Sequence, residues 1–242
     1  MRSVSVVIPA YNESKLIEGC LRSIEAAFEG AGVPATAREI IVVDNASSDD
    51  TAERARALGA RVVHEPRRQI SRARNAGARV AQGEWLLFID ADSWPDAELI
   101  GDLLQVMSDP GVAGGGTVMR MEPLPLSMRF LVGCWNLCSR WLRWAAGAFI
   151  FCRRDAFEAV NGFDTALYCG EEINFSGKLK RYARWRRMSF VILSRNPLRT
   201  SARKGELYTV GEMFRAFFRL VRHPRRYFRD PALCDVWYDG RR

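Results

Sequence analysis

Two carboxylates one residue apart, Asp90 and Asp92, directly follow the strongly apolar run 85–89. A run this apolar predicts a buried strand, and like charges at its end repel each other unless a cation neutralises them. A hard divalent cation suits such a pair because it keeps several waters and bridges to phosphate oxygens. The pair therefore predicts a metal site for a phosphate-bearing substrate. The alternative is that Asp90 caps the loop and Asp92 caps the next helix.

Acidic side chains also follow two other apolar runs. Asp44 ends the run 40–43, and Glu13 lies just past the run 4–8. Acidic groups from three strand ends would converge at one edge of a sheet, which local capping alone does not explain. There a carboxylate can accept a hydrogen bond from a nucleobase ring N–H or from ribose hydroxyls.

The elements that must position these groups alternate along the first half of the chain. Short β-branched runs are separated by segments of helical period, which predicts an α/β fold with a parallel sheet covered on both faces. The predicted strands are 4–8, 39–43, 61–64, 85–89, 117–121, 148–152 and 188–193, and the predicted helices are 14–28, 48–58, 71–81, 96–107, 127–143, one from Arg154, and 171–184. Gly114 to Gly116 predict a close backbone approach before the strand 117–121, and Pro95 is placed at a first helical position. Ligands of open α/β sheets bind at the carboxyl ends of the strands.

The first strand is followed by Pro9, Ala10, Tyr11 and Asn12 and not by glycines. The phosphate-binding fingerprints GxGxxG and GxxxxGK[ST] are both absent from this turn, which argues against a dinucleotide-dependent dehydrogenase and a P-loop NTPase. A sugar nucleotidyltransferase would also need a glycine-rich, arginine-containing loop here. Two alternatives to a transferase nevertheless stay open, namely that nucleotidyltransferase and a non-catalytic nucleotide- or membrane-binding module.

The composition predicts an ordinary globular protein with a basic end. Of 242 residues, 36 are Lys or Arg and 28 are Asp or Glu, and the net charge is +8. Residues 195–242 hold 12 of the basic and five of the acidic residues, so this extension carries most of the excess. The asymmetry is weaker than in nucleic-acid-binding tails, and no nucleic-acid partner is expected. The segment 212–223 has apolar residues on one helical face and arginines on another. This pattern predicts either contact with an anionic membrane surface through 212–229 or packing on the domain.

The cysteines and the apolar segments indicate the cellular compartment in which the protein is expected. Six cysteines without a CxxC pair, and only two histidines, argue against a structural zinc site. The N-terminus shows no signal peptide, and the apolar stretch 130–152 is interrupted by Arg140 and Arg143. A cytoplasmic protein that can attach peripherally to the inner face of the membrane is therefore expected.

Four motifs, in order and spacing, resemble those of family 2 glycosyltransferases. They are VVIPAYNE (6–13), IVVDNASSDDT (41–51), ARNAG (73–77) and FIDAD (88–92), and the resemblance continues at GAFIFCRRDAF (147–157), GFD (162–164) and GEE (170–172). The resemblance covers about residues 3–184. It implies a GT-A fold, a Rossmann-like and mostly parallel sheet flanked by helices, here with a basic helical C-terminal extension. It also implies a nucleotide-diphosphate sugar donor linked to UDP or GDP, a Mg²⁺ or Mn²⁺ ion, and inversion at the anomeric centre.

Carried over by position, the resemblance assigns roles to named residues. The nucleotide-sugar set is Pro9, Ala10, Tyr11, Glu13, Asp44, Arg74, Asp90, Ala91 and Asp92, with Asp90 and Asp92 also at the metal. Arg74 would lie near the nucleotide or its diphosphate, although a solvated helix arginine would have the same sequence. Glu172 inherits the role of catalytic base and Glu171 that of a helper, although the family usually has Asp at the second position.

The acceptor side is the least family-like part of the chain. The candidate acceptor residues are Gly147, Ala148, Trp141 and Asp164, and the acceptor would be a sugar or a lipid-linked glycan of the cell envelope. The predicted organisation is a GT-A domain over 1–194, divided into a nucleotide-sugar half (1–122) and an acceptor half (123–194), followed by the amphipathic extension 195–242.

Overall fold

The β-branched runs of the sequence form the strands of one eight-stranded sheet, and the helical segments cover it. The computed structural model describes residues 2–121, 126–145, 147–202, 227–230 and 232–234. The strands are β1 (Val4–Ala10), β2 (Arg38–Asp44), β3 (Arg61–His64), β4 (Trp85–Ile89), β5 (Ser93–Trp94), β6 (Val112–Met121), β7 (Phe149–Arg153) and β8 (Ser189–Thr200). The helices are α1 (Ile17–Gly30), α2 (Thr51–Ala57), α3 (Ile70–Val80), α4 (Ala97–Ser108), α5 (Leu126–Leu142), α6 (Arg154–Ala159) and α7 (Glu171–Trp185). The predicted α/β class and the order of the main elements are confirmed.

The sheet is mostly parallel, with the strand order β3-β2-β1-β4-β7-β6-β8-β5. Strands β3, β2, β1 and β4 are parallel to one another, whereas β7 is antiparallel to β4 and β6, and β5 is antiparallel to β8. The prediction of an all-parallel sheet for the first half is confirmed, but β7 runs the other way. The chain enters β7 at the carboxyl end of β4, where Phe149 pairs with Ile89. This reversal brings the turn before β7 to the functional edge of the sheet.

Each face of the sheet has its own apolar core. Alternate residues of β1 divide between them, because Val6 and Ile8 pack with α1 and α4 while Val7 packs with α3 and α7. The second core includes a group of four phenylalanine rings in which Phe163 and Phe175 stack at 4.1 Å between centroids. These cores fix α3 and α7 against the sheet, and both helices carry candidate site residues.

Several predicted boundaries are wrong. Strand β6 begins at Val112, so the glycines 114–116 lie within it, although the predicted close approach is confirmed: a Cβ on Gly115 would lie 2.1 Å from the carbonyl oxygen of Val191. Pro95 precedes α4 and does not begin it, because Asp96 is the cap residue and accepts a 2.9 Å hydrogen bond from the Leu99 N–H. Strand β8 continues through residue 194 to Thr200.

A small cluster joins the C-terminal part of the chain to the loop before α7. Cys169, Tyr227 and Cys234 are buried together, and the Sγ atoms of the two cysteines are 2.9 Å apart. The Tyr168 N–H also donates a 2.7 Å hydrogen bond to the Phe228 carbonyl. The predicted amphipathic helix over 212–223 lies outside the described residues, and of the predicted membrane surface 212–229 only 227–229 are described. Within the described ranges, no helix combines the length and apolar character that a membrane crossing requires.

Candidate active site

The carboxyl ends of four strands meet at one edge of the sheet, as the sequence predicts. Ala10 at the end of β1 is in register with Asp44 at the end of β2, which pairs in turn with His64 at the end of β3. The Asn45 N–H donates to the Ala10 carbonyl at 2.8 Å, so the backbone stays paired just past the strands. Asp90 follows β4, the other neighbour of β1. The predicted convergence of side chains from separate strand ends is therefore present.

Asp44 is a buried carboxylate held on both oxygens. Its Oδ1 accepts a 2.9 Å hydrogen bond from the Ser47 N–H, and its Oδ2 lies 3.1 Å from Nδ1 of the exposed His64. Each carboxylate oxygen has more than one lone pair, so Asp44 can still accept a bond from a ligand N–H. The sequence did not associate His64 with this carboxylate, because the two residues come from different strands.

Tyr11 lies beside an arginine that sequence reasoning missed. The Arg68 Cζ lies 3.8 Å from the centroid of the Tyr11 ring, within cation–π range. Arg68 Nη2 is buried without a hydrogen-bond partner in the described structure. Several arginines occur between 67 and 74, and nothing in their spacing distinguishes Arg68. Its position beside Tyr11 makes it a further candidate for contact with a substrate anion.

Arg74 on α3 is the centre of the site's ion-pair network. Its Nη1 donates to Glu171 Oε1 at 2.9 Å, and its Nη2 donates to Asp90 Oδ1 at 3.0 Å and to the Gly147 carbonyl at 3.1 Å. The arginine is only 2% exposed, so the alternative of a solvated helix arginine is wrong. One buried cation therefore links the carboxylate after β4, the turn before β7 and the start of α7.

The two carboxylates after β4 are not helix caps. Asp96 caps α4 in place of Asp92, and the Asp90 side chain, 36% exposed, faces Arg74. Among the described residues no three His, Cys, Asp or Glu side chains form a metal-binding group. A pair of carboxylates still fits Mg²⁺ or Mn²⁺, since such ions are commonly held by one or two carboxylates plus water and substrate phosphate oxygens.

Glu171 and Glu172 begin α7 directly after Gly170, whose φ of 67° is in the left-handed region. Glu171 is 4% exposed. Burial, reinforced by the charge of Glu172 and opposed by Arg74, raises the pKa of Glu171 to about 8. Glu172 Oε2 is buried without a hydrogen-bond partner in the part of the chain that the structure describes. Its Oε1 lies 3.7 Å from the position a Cβ on Gly147 would occupy, so only a small residue at 147 leaves this approach open.

The other acceptor candidates differ in position. The Ala148 carbonyl accepts a 3.3 Å hydrogen bond from the Asp90 N–H, so Ala148 borders the site directly. Asp164 Oδ1 accepts a local 2.9 Å hydrogen bond from the Ala166 N–H, in the loop before α7. Trp141 is 82% exposed on α5. The structure therefore brings Gly147 beside Glu172 and Ala148 beside Asp90, and it leaves Trp141 on an outer face.

We expect Glu171→Gln to flatten the pH dependence of stability of the metal-free protein. Because folding raises the pKa of Glu171 from an ordinary 4.5 to about 8, the folded state binds this proton more tightly. The resulting stabilisation is complete below about pH 4.5 and is lost as the pH rises towards 8. Urea denaturation across this range measures the slope. The exposed Glu158→Gln on α6 is the control, and an unchanged slope in Glu171→Gln would contradict the assignment.

Comparisons with known proteins agree with this geometry. Glycosyltransferase AglE of Haloferax volcanii is 28% identical in an alignment 192 positions long, which covers 72% of this chain and 60% of AglE. The mannosyltransferase PcManGT of Pyrobaculum calidifontis, solved with GDP-Man and Mn²⁺, superposes with a TM-score of 0.66 at 22% identity, covering 98% of this chain and 69% of that one. Glucosyl-3-phosphoglycerate synthase of Mycobacterium tuberculosis, solved with Mn²⁺, UDP and glucosyl-3-phosphoglycerate, superposes with a TM-score of 0.64 at 22% identity. The superposition covers 91% of this chain and 77% of the synthase.

This chain is similar in fold to both structures, which confirms the predicted GT-A architecture. The chain spans less than two thirds of the length of AglE. The family model described as Glycosyl transferase family 2 matches residues 5–160, well over half of the chain. The sequence motifs, the strand-end site and this match lead to one conclusion: the chain belongs to glycosyl transferase family 2.

Proposed function

We propose that the protein transfers a glycosyl group from a UDP- or GDP-linked sugar to an acceptor hydroxyl, with inversion and with Mg²⁺ or Mn²⁺. The observation that carries the proposal is the buried Glu172 Oε2, which has no hydrogen-bond partner among the described residues. The Glu172 side chain lies beside Gly147, on the same side as the Arg74 Nη2 that pairs with Asp90. A free buried carboxylate oxygen beside a donor-side carboxylate is what a base-assisted displacement requires.

On the donor side, the strand-end residues would hold the nucleotide. Asp44 would accept a base N–H, which uracil and guanine both offer, and Tyr11 with Arg68 would contact the base or the phosphates. Pro9, Ala10, Glu13 and Ala91 would shape this pocket, and Arg74 would act through Asp90. Asp90 and Asp92 would hold the divalent cation, which when bound supplies positive charge to the leaving diphosphate.

On the acceptor side, Glu172 would remove the proton from the acceptor hydroxyl. The acceptor oxygen then attacks the anomeric carbon from the face opposite the diphosphate, and the bond to the diphosphate breaks with its electron pair. Glu171, held by Arg74, would orient the base. Gly147 and Ala148 would let the acceptor approach the backbone, with Trp141 and Asp164 as more distant candidates.

The wider assignments rest on the sequence. The chain would have a donor half over 1–122, an acceptor half over 123–194 and an extension over 195–242 that contacts a sugar or lipid-linked acceptor. The segment 212–229 would attach the protein peripherally to the inner face of a membrane. The rival functions are a sugar nucleotidyltransferase and a binding module without turnover. Product formation from a labelled donor separates both from a glycosyltransferase.

We expect UDP or GDP with Mn²⁺ to raise the melting temperature of the wild type and to have little effect on Asp92→Ala. At a ligand concentration of 100 times Kd the stabilisation is about 2.7 kcal/mol, or roughly 5–10 °C for a protein of this size. UDP, GDP, CDP and dTDP are each tested with and without Mn²⁺. The control is Glu98→Ala, which removes an exposed carboxylate from α4 and should respond as the wild type does. Equal metal-dependent stabilisation of Asp92→Ala would overturn the metal site.

A further inference from the structure

The outer side of α5 has an unusual composition for a helix on a globular protein. Leu137 is 56% exposed, Trp141 82% and Leu142 47%, and Cys134 and Cys138 are also exposed. Residues 134, 137, 138 and 141 follow the spacing that places side chains on one side of a helix. We call these four residues, with Leu142, the α5 ridge. A surface helix ordinarily turns such a stripe towards the core, so the ridge is an exposed apolar face that needs a partner.

The inner side of the same helix is anchored, so the ridge is not an incidental rotation of α5. Asn136 donates from Nδ2 to the Met119 carbonyl at 2.8 Å and accepts from the Met119 N–H at 3.0 Å. Ser139 is fully buried, and its hydroxyl donates to the Trp144 carbonyl at 2.6 Å. These bonds fix the polar side of α5 against β6 and hold the ridge outwards.

Among the described residues, the charged side chains of α5 and those of α7 from residue 173 onwards are all positive. Arg140 and Arg143 are exposed on either side of Trp141, and Lys180 of α7 donates to the Leu142 carbonyl at 2.9 Å. Arg184, one turn further along α7, is exposed and adds its charge to that of Lys180. The sequence has no Asp or Glu in 126–145 or in 173–190. Positive charges on the sides of an apolar face complement an anionic bilayer. A second protein or a second copy of this chain would not need charges of one sign there.

We propose that the α5 ridge and its flanking cations attach the protein to the surface of a bilayer that contains anionic phospholipid. Trp141, Leu137 and Leu142 enter the interfacial region, where tryptophan is favoured and buried apolar area sets the affinity. Arg140, Arg143, Lys180 and Arg184 contact the phosphate groups of the lipids. This surface is made of residues other than those of the segment 212–229.

This attachment also has a defined relation to the candidate active site. Lys180 lies eight residues after Glu172 on α7, a rise of about 12 Å along the helix. If the proposed function holds, the bilayer surface would therefore lie within about two helical turns of the catalytic base. Attachment itself does not depend on that function, and it is tested by binding alone.

The test is flotation of the full chain with vesicles of phosphatidylcholine alone and of phosphatidylcholine with phosphatidylglycerol. We expect the wild type to bind the anionic vesicles, to release them as salt increases, and to ignore the neutral ones. Leu137→Ser with Trp141→Ser, and separately Arg140→Glu with Arg143→Glu, should each reduce the binding constant about ten-fold or more. Circular dichroism establishes that each variant is folded.

Two control variants test whether the effects are specific to α5. Trp185→Ser removes a tryptophan that is 75% exposed but lies about 140° round α7 from Lys180, and it should bind as the wild type does. Arg22→Glu with Arg56→Glu makes the same charge change on α1 and α2 and should have a smaller effect. Wild-type binding by both α5 variants would assign attachment to another segment and overturn the proposal. Absence of vesicle binding, with a dimer that Trp141→Ser dissociates, would also overturn it by assigning the ridge to a protein interface.

Discussion

Glu172→Gln is expected to lower kcat/KM by about 10²–10⁴-fold, the usual range for loss of a general base. The amide keeps the size and polarity of the side chain but cannot take the acceptor proton. The change leaves the proposed donor-side carboxylates Asp44, Asp90 and Asp92 in place. Stabilisation by the nucleoside diphosphate with Mn²⁺ should therefore equal that of the wild type. The measurement is the transfer rate from the donor nucleotide that stabilises the protein, beside its thermal shift.

Two variants accompany this measurement. Glu172→Asp keeps a carboxylate and should recover part of the rate, because the motif of the family usually has Asp at this position. Glu171→Gln changes a neighbouring carboxylate that is held by Arg74, and its kcat/KM should fall less than that of Glu172→Gln. Full activity of Glu172→Gln would show that another group is the base, and loss of donor binding would show that the two halves of the site are not separable.

Arg74→Met is expected to lower the free energy of unfolding by about 1–3 kcal/mol, the usual cost of leaving buried polar groups without their hydrogen-bond donor. The methionine fills much of the space but leaves Glu171 buried and the Gly147 carbonyl without its donor. Asp90, which is partly exposed, would be freed from the network. Urea denaturation of the metal-free protein measures the change. The free energy of unfolding of Arg74→Lys should lie between those of the wild type and Arg74→Met, because one ammonium cannot reproduce the forked geometry of the guanidinium.

Arg72→Met is the matched control for this prediction. Arg72 is on the same helix, and its Nε donates to the Gln69 side chain at 3.0 Å. Its replacement should change the free energy of unfolding by no more than about 0.5 kcal/mol, as is usual away from buried networks. Adding Glu171→Leu to Arg74→Met should restore part of the loss, because an apolar replacement of a whole buried pair is often neutral. Equal stability of the Arg72 and Arg74 variants would refute the bridging role.

The sequence predicted which side chains lie at the carboxyl ends of the strands, because that edge of the sheet is built from local patterns. Apolar runs ended by Asp44 and Asp90 identify buried strands and their carboxyl ends, and parallel strands necessarily share an edge. The helix 171–184 followed from its own period, and its two glutamates fell at its start. In each case, residues close in the chain specify both the element and the position of the side chain.

What the sequence missed depends on contacts between distant residues. Arg74 and Glu171 are 97 positions apart, and an arginine in a helical segment looks the same whether it is solvated or buried. The reversed direction of β7 follows from where the chain re-enters the sheet, which no local period encodes. The contact of Arg68 with Tyr11 and the burial of Cys169 with Cys234 are likewise products of the assembled fold.

The burial of Tyr227 and Cys234 beside Cys169 bears on where this protein can be shortened. Cys169 lies in the loop that leads into α7, and the Tyr168 N–H of the same loop donates to the Phe228 carbonyl. A version of the chain that ended at residue 194 would therefore expose Cys169 and remove the acceptor of the Tyr168 N–H, close to the start of the helix that carries Glu171 and Glu172. The residues that fold with α7 are thus not contiguous with it in the chain, and a truncation placed after β8 would cut through one folding unit.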